Sequence, residues 1–351
     1  MRKRILVAPL NWGLGHATRC IPIINALLKA NFTPVIASDG ISLLLLQKEF
    51  PQLESIELPS YNITYPINGK NFKRKIIWDS PKLIKVIRAE KKIVAELIGT
   101  YAIDGIISDN RFGVHSKKVP SVFITHQLNV LTGSTTWLST KIHLAIMKKF
   151  DECWIPDVDG KPNLSGRLGH IKKSRLRIKY MGPISRLAKK EIPLKYDVMA
   201  ILSGPEPQRT FLEQKLLTEL QKHKGKILFI RGKIENKQHI EQTNNITIYN
   251  YMSSFEIETA INESAVVLSR SGYTTIMDLA KLEKKAFFIP TPGQFEQVYL
   301  AKRLKKNGIV PSCAQEKFTI SKLGKISLYS GLSSFDSKID LSDLFCLFQR
   351  K

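Results

Sequence analysis

Short, continuous apolar runs alternate with longer amphipathic stretches along the whole chain. In the first half the runs are Ile5–Leu10, Pro34–Ser38, Asp104–Ser108, Ser121–Thr125 and Glu152–Pro156. They lack the period-two alternation of a strand with one wet face, which marks them as parallel strands buried on both faces. Helical periodicity fills the gaps. One helix is predicted over Pro81–Ile98, with Ser80 as cap, Pro81 at the first helical position and Gly99 at its end. The second half repeats the pattern with runs at Tyr196–Ser203, Lys226–Arg231, Asn245–Tyr249, Ala265–Ser269 and Ala286–Pro290. A helix is predicted from about Pro207 to His223. Its Phe211, Leu212, Leu216, Leu217 and Leu220 share one face, and Gly225 follows its end.

Strands alternating with helices give a mostly parallel sheet covered on both faces, and two such series give two doubly wound α/β domains. A chain of 351 residues also exceeds what one core usually organises. We expect Rossmann-like domains at 1–185 and 193–325 and a weakly helical tail at 326–351. The joint falls between Gly182 and Leu194, a stretch holding Pro183, Pro193 and several lysines. Ligands of such sheets bind at the carboxyl ends of the strands, so the expected site is a cleft across which the two domains face each other.

Charge adds a constraint. Lys and Arg number 54 against 30 Asp and Glu, a formal net charge of +24. A balance this basic fits polyanionic company: nucleic acid, anionic headgroups or phosphorylated substrates. The four cysteines, Cys20, Cys153, Cys313 and Cys346, are far apart, which argues against a zinc site or a disulfide framework and fits a cytoplasmic protein. The basic start runs into an apolar stretch too short for a secretion signal. No run reaches the roughly 18–20 apolar residues of a membrane span, Ile41–Leu46 coming nearest, so any membrane contact is expected to be peripheral. Two basic runs could make such contact. One is Phe72–Trp78, followed by Lys82, Lys85, Arg88, Lys91 and Lys92; the other is Arg167–Lys179.

Candidate chemistry clusters just past the strands. After the first strand come Gly13, Gly15 and His16, a tight turn into a helix whose N-terminus can face an anion, with His16 placed as a general base. The third glycine of the dinucleotide fingerprint is missing. After later strands come Asp109 and Asn110, then His126, Gln127 and Asn129, polar groups suited to sugar hydroxyls or a pyrophosphate on the acceptor side. In the second half, Ser203 and Gly204 form another small-residue turn, and Arg231 closes the next strand. The fullest segment is Ser269–Asp278. There Arg270 brings charge, Gly272 permits close backbone approach, and Ser271, Thr274 and Thr275 can donate to phosphate oxygens. Asp278 can accept both hydroxyls of a ribose. Gln294, Glu296 and Gln297 follow past the next strand, with paired donors and acceptors for a sugar. Asp157-Val158-Asp159 has the letters of a metal-binding Asp-x-Asp, but it lies away from the strand-end site and reads as a loop.

These segments together resemble the family 28 glycosyltransferases of the GT-B fold, which include the bacterial N-acetylglucosaminyltransferase of peptidoglycan-precursor synthesis. The resemblance runs over about residues 5–312 and is best in the second half. It implies that Gly13, Gly15 and His16 meet the donor diphosphate and the acceptor. It implies that His126, Gln127 and Asn129 line the acceptor cleft, without the family's acidic residue. Asp278 stands where the family has a ribose-binding Glu. Gln297 stands for a sugar-binding Gln whose partner is replaced here by Val298. By the same resemblance the donor is a UDP-sugar, no metal is required, the anomeric centre is inverted, and the acceptor is a lipid-linked sugar or glycan at the inner face of the cytoplasmic membrane. Two other readings stay open: a UDP-sugar epimerase, which shares the two-domain fold, and a non-catalytic nucleic-acid-binding protein, for which the chain shows no recognition motif.

Overall fold

The computed structural model describes residues 2–61, 72–171, 174–204, 206–233, 235, 237–332 and 340–349; residues 72–80 and 134 are described by backbone alone. The described chain forms two compact units. The first runs to Ile184 and includes residues 340–349, and the second runs from Ser185 to residue 332.

The first unit is a seven-stranded parallel sheet. In chain order its elements are β1 (Arg4–Pro9), α1 (Leu14–Lys29), β2 (Thr33–Ser38), α2 (Gly40–Glu49), β3 (Ser55–Glu57), α3 (Phe72–Thr100), β4 (Ile103–Asp109), β5 (Ser121–Ile124), α4 (Thr136–Met147), β6 (Glu152–Ile155) and β7 (Ile178–Tyr180). The strands lie in the order β3-β2-β1-β4-β5-β6-β7. Leu6, Ala8, Val35, Ala37 and Ile106 meet Val94 and Leu97 of α3, so the continuous apolar runs are buried on both faces, as their pattern demands.

The second unit holds β8 (Tyr196–Ile201), α5 (Gln208–Leu220), β9 (Ile227–Ile230), β10 (Ile240–Thr243), β11 (Ile246–Tyr249), α6 (Ser254–Asn262), β12 (Ser264–Ser269), α7 (Tyr273–Lys281), β13 (Lys285–Phe288) and α8 (Phe295–Lys306). Its order is β10-β11-β9-β8-β12-β13, parallel except for the β10–β11 hairpin. Leu212, Leu216 and Leu220 of α5 pack on Val198, Ala200, Phe229 and Ile248.

Beyond α8 the chain serves both cores. Phe318 and Ile326 close the second. The last helix, α9 (Cys346–Gln349), brings Phe348 with Phe345 onto Phe32 and Trp154 of the first. Gly105 in β4 admits Phe348: a Cβ there would lie 2.4 Å from its ring.

One predicted helix begins earlier than expected. Pro81 does not open its helix, because α3 begins at Phe72 and runs through it. The buried face of Glu90, Val94 and Leu97 anchors the helix, and one missing N–H is tolerated upstream of that anchor. Lys82, Lys85, Arg88, Lys91 and Lys92 are all exposed, whereas the side chains of Phe72–Trp78 lie outside the described residues, as do residues 172–173 of the second basic run.

Candidate active site

In each sheet one pair of adjacent strands sends its connections in opposite directions: β1 and β4 in the first, β8 and β12 in the second. Loops past such a switch point leave a crevice between them. The fullest candidate segments fall at these two points.

In the first unit, Gly13 makes the turn out of β1 at φ 76°, a left-handed conformation that a Cβ would strain, and caps α1 without a side chain. No acid stands in the first turn of α1, so its positive end stays uncompensated. Gly15 and His16 lie in that turn. The end of β4 delivers Asp109, which is fully buried. Asp109 is therefore not a group for sugar hydroxyls, as its loop position suggested; its oxygens are taken from within. His16 Nδ1 lies 2.9 Å from its Oδ1. Arg19 donates from Nε to Oδ2 at 2.5 Å and from Nη2 to Oδ1. The Arg19 Nη1 reaches His126 Nδ1 at 3.2 Å.

Burial would raise the Asp109 pKa, but Arg19 and then His16 override it and hold the carboxyl well below the usual range. Burial, followed by Arg19, pushes the His16 pKa below the ordinary histidine value, and Asp109 opposes this only in part. The His16 side chain is 12% exposed, within reach of a ligand. Arg19 was missed from sequence. The signal was its i,i+3 spacing from His16, which puts both on one helix face.

The other acceptor-side residues divide. Asn110 is half-buried in a left-handed conformation, φ 58°. Gln127 lies beside His126, the two side chains 3.5 Å apart. Asn129 is a structural tie instead of a ligand group: its amide donates to the carbonyls of Arg167 and His170. Asp157 of the Asp-x-Asp triplet is likewise committed, accepting from the N–H groups of Val158, Leu164 and Ser165. Among the described residues no group of three or more His, Cys, Asp or Glu could hold a metal ion.

In the second unit, α7 starts at the end of β12 with Gly272 as its cap, no acid in its first turn and no cap side chain competing for the N–H groups there. A Cβ at Gly272 would meet only Thr275 Oγ1, at 3.8 Å, so the approach to this helix end is open. Thr274 and Thr275 are half-buried beside it. By contrast α6 is closed by its own capping box, Ser253 with Glu256. Ser203 and Gly204, the latter at φ 105°, are exposed past β8, the neighbouring strand.

Three residues expected to touch the donor have other work. Ser271 is buried and donates to the Gln297 carbonyl at 2.8 Å, tying the start of α7 to α8. Arg270 is buried with neutral partners: the carbonyls of Gln208, Ile289 and Pro290, and Gln315 Oε1. Burial pulls its pKa down to about 10, still a cation at neutral pH. Arg231 is held by Glu213 at 2.9 Å and Glu241 at 2.7 Å. Buried or paired cations like these shape the loops, and any effect of Arg270 on a ligand acts through space.

Asp278, in the second turn of α7, accepts from Ser185 Oγ at 2.6 Å. Burial pushes its carboxyl up to about 6, against the pull of Ser185 and then Arg186. Ser185 and Arg186 come from the chain segment that enters this unit, and no local pattern marks them. Gln294 caps α8, and Glu296 and Gln297 fill its first turn. Gln297 Oε1 accepts from the Thr291 N–H at 2.8 Å. That bond fixes the amide, with the oxygen toward Thr291 and the NH₂ as the outward donor.

Residues 206–328 match the glycosyltransferase family 28 C-terminal domain. The chain is 27% identical over 219 residues to the UDP-N-acetylglucosamine--N-acetylmuramyl-(pentapeptide) pyrophosphoryl-undecaprenol N-acetylglucosamine transferase of Buchnera aphidicola subsp. Schizaphis graminum (strain Sg). That match covers 60% of this chain and spans 57% of the relative's length. Among solved structures, MurG of Acinetobacter baumannii superposes with TM-score 0.54 at 12% identity, covering 100% of this chain and 94% of that one. A UDP-glucosyltransferase from Polygonum tinctorium gives 0.63 at 11%, covering 100% and 99%. A Listeria monocytogenes protein described as a UDP-N-acetylglucosamine 2-epimerase gives 0.65 at 9%, covering 98% and 95%. At these identities the structural likeness establishes the fold.

Proposed function

We propose that this GT-B-fold chain, whose residues 206–328 match the glycosyltransferase family 28 C-terminal domain, is a glycosyltransferase that moves a hexose or N-acetylhexosamine from a UDP-sugar to a lipid-linked or glycan acceptor, with inversion. The observation that carries the reading is His16 at the open N-terminus of α1, with Nδ1 against buried Asp109. A ring whose Nδ1–H donates to a carboxylate keeps its lone pair on Nε2. Nε2 then takes the proton of the acceptor hydroxyl as that oxygen attacks the anomeric carbon. The bond from that carbon to the diphosphate breaks, and the electron pair leaves on UDP. Within the second unit, the N-terminus of α7 suits the diphosphate, Asp278 the ribose, and the Gln297 NH₂ a sugar hydroxyl. With helix ends in this role, the reaction needs no metal.

For the acceptor side we propose peripheral attachment to an anionic membrane surface at the cytoplasmic face. On α4, Trp137, Leu138 and Ile142 are 69%, 44% and 55% exposed, beside exposed Lys141, Lys148 and Lys149. Apolar side chains among lysines suit a headgroup layer. No described helix is long and apolar enough to cross a membrane.

The test is UDP release and sugar transfer with a panel of UDP-sugars and a lipid-linked acceptor. His16→Asn should lower kcat by about 10²-fold or more, the usual contribution of a general base. Lack of any UDP-sugar binding by calorimetry would sink the reading. The epimerase alternative, which shares this fold, predicts conversion of the sugar with no acceptor present.

A further inference from the structure

A histidine paired with a carboxylate is ordinarily driven towards the protonated form, because imidazolium and carboxylate attract each other. A base that already holds its proton cannot take one. Here the pair is completed by a cation one turn along α1, and we propose that Arg19 is a positioning residue that takes up the charge of Asp109, leaving that carboxylate to orient the His16 ring without holding a second proton on it. The proposal rests on His16 as the base of the reading above.

The geometry has three parts. Arg19 grips Asp109 with two nitrogens, Nε to Oδ2 and Nη2 to Oδ1, so the carboxylate is fixed in rotation and balanced in charge. The same Nη2 lies 2.9 Å from His16 Nδ1, where a second positive charge on the ring would be repelled. The remaining terminal nitrogen, Nη1, lies 3.2 Å from His126 Nδ1. One guanidinium therefore contacts the carboxylate and both histidines. The titratable groups acting on His16 are Arg19 from α1, Asp109 from β4 and His126 from the loop past β5, and Cys20 of α1 touches the same carboxylate. Arg19 and Asp109 are both buried, so solvent screens neither charge effectively.

The experiment is a histidine titration by NMR on the full chain with ¹⁵N-labelled rings, His16 being assigned with His16→Asn. In the wild type, His16 should be the Nδ1–H tautomer and titrate below the ordinary histidine value despite its contact with Asp109. In Arg19→Met its titration should rise by about one pH unit or more, and the acidic limb of the kcat/KM profile should move up with it. Arg19→Lys keeps the charge and loses the fork, so the titration should stay near wild type while kcat falls. A wild-type His16 that titrates above the ordinary value, or that carries its proton on Nε2, overturns the proposal even if Arg19→Met does not fold. An unshifted titration in folded Arg19→Met overturns it while leaving the base in place. Full turnover in His16→Asn removes the base itself, and the proposal with it.

Discussion

At the scale of the residue, the two units treat their carboxylates in opposite ways. Asp109 is paired and stays ionised, whereas Asp278 is desolvated, with Ser185 donating to it and Arg186 nearby, and its carboxyl sits at about 6. A folded value above the unfolded one, roughly 3.9, means that Asp278 favours folding most at low pH and loses that contribution as pH rises through 6. At pH 8 the buried charge costs stability. Asp278→Asn keeps an acceptor for Ser185 and removes the charge. It should melt higher than wild type at pH 8, by on the order of 1 kcal/mol, and match it near pH 4. Donor affinity should move the other way. If Asp278 accepts ribose hydroxyls as a carboxylate, Asp278→Asn should weaken UDP binding at pH 8 by about tenfold or more, and wild-type affinity should fall between pH 7 and pH 5. Calorimetry of UDP binding across that range checks both. An unchanged affinity in Asp278→Asn would remove the ribose role and leave the stability effect standing.

At the scale of the element, the ten buried strands were legible because a parallel strand covered on both faces must be apolar at every position. The ones missed, β3, β7 and β10, are at or near sheet edges, three or four residues long, and none has a fully buried residue, so they carry no such signature. The site was legible where chemistry follows the backbone. A turn after a strand and a helix N-terminus can be read from glycine placement, and His16, Gly272, Asp278 and Gln297 stand at such ends. It was not legible where residues meet through the fold. Asp109 and His16 are 93 positions apart, Ser185 and Asp278 likewise, and Ser271 and Arg231 have partners that only packing supplies. Two glycines test the same point. Gly105 leaves room for Phe348, so Gly105→Ala should cost about 1–3 kcal/mol by overpacking. Gly99 is exposed near the end of α3, and a methyl added there would meet nothing within 4 Å, so Gly99→Ala should gain about 0.5–1 kcal/mol. Urea unfolding of both variants should therefore give shifts of opposite sign. Two shifts of the same sign would contradict the packing of α9 on β4.

At the scale of the whole molecule, the formal charge of +24 needs an account. Much of the charge inside the fold is already matched. Arg19, Arg111 and Arg209 are buried against Asp109, Asp39 with Glu90, and Glu213. The excess therefore lies outside, and α3 shows it in Lys82, Lys85, Arg88, Lys91 and Lys92. Net charge alone suits nucleic acid as well as lipid. The exposed Trp137, Leu138 and Ile142 of α4 separate the two, since an apolar side chain gains by entering a headgroup layer and gains nothing beside a phosphate backbone. The protein should sediment with vesicles containing anionic lipid and not with neutral ones, and binding should weaken as salt shortens the screening length from about 10 Å at 0.1 M. Trp137→Glu should reduce vesicle binding several-fold and leave UDP binding unchanged, because the proposed donor groups lie in the other unit. Duplex DNA binding that survives Trp137→Glu, with no binding to anionic vesicles, would turn the basic surface towards nucleic acid. The two polyanions thus differ in whether the tryptophan matters, and a single substitution read against both separates charge from apolar insertion.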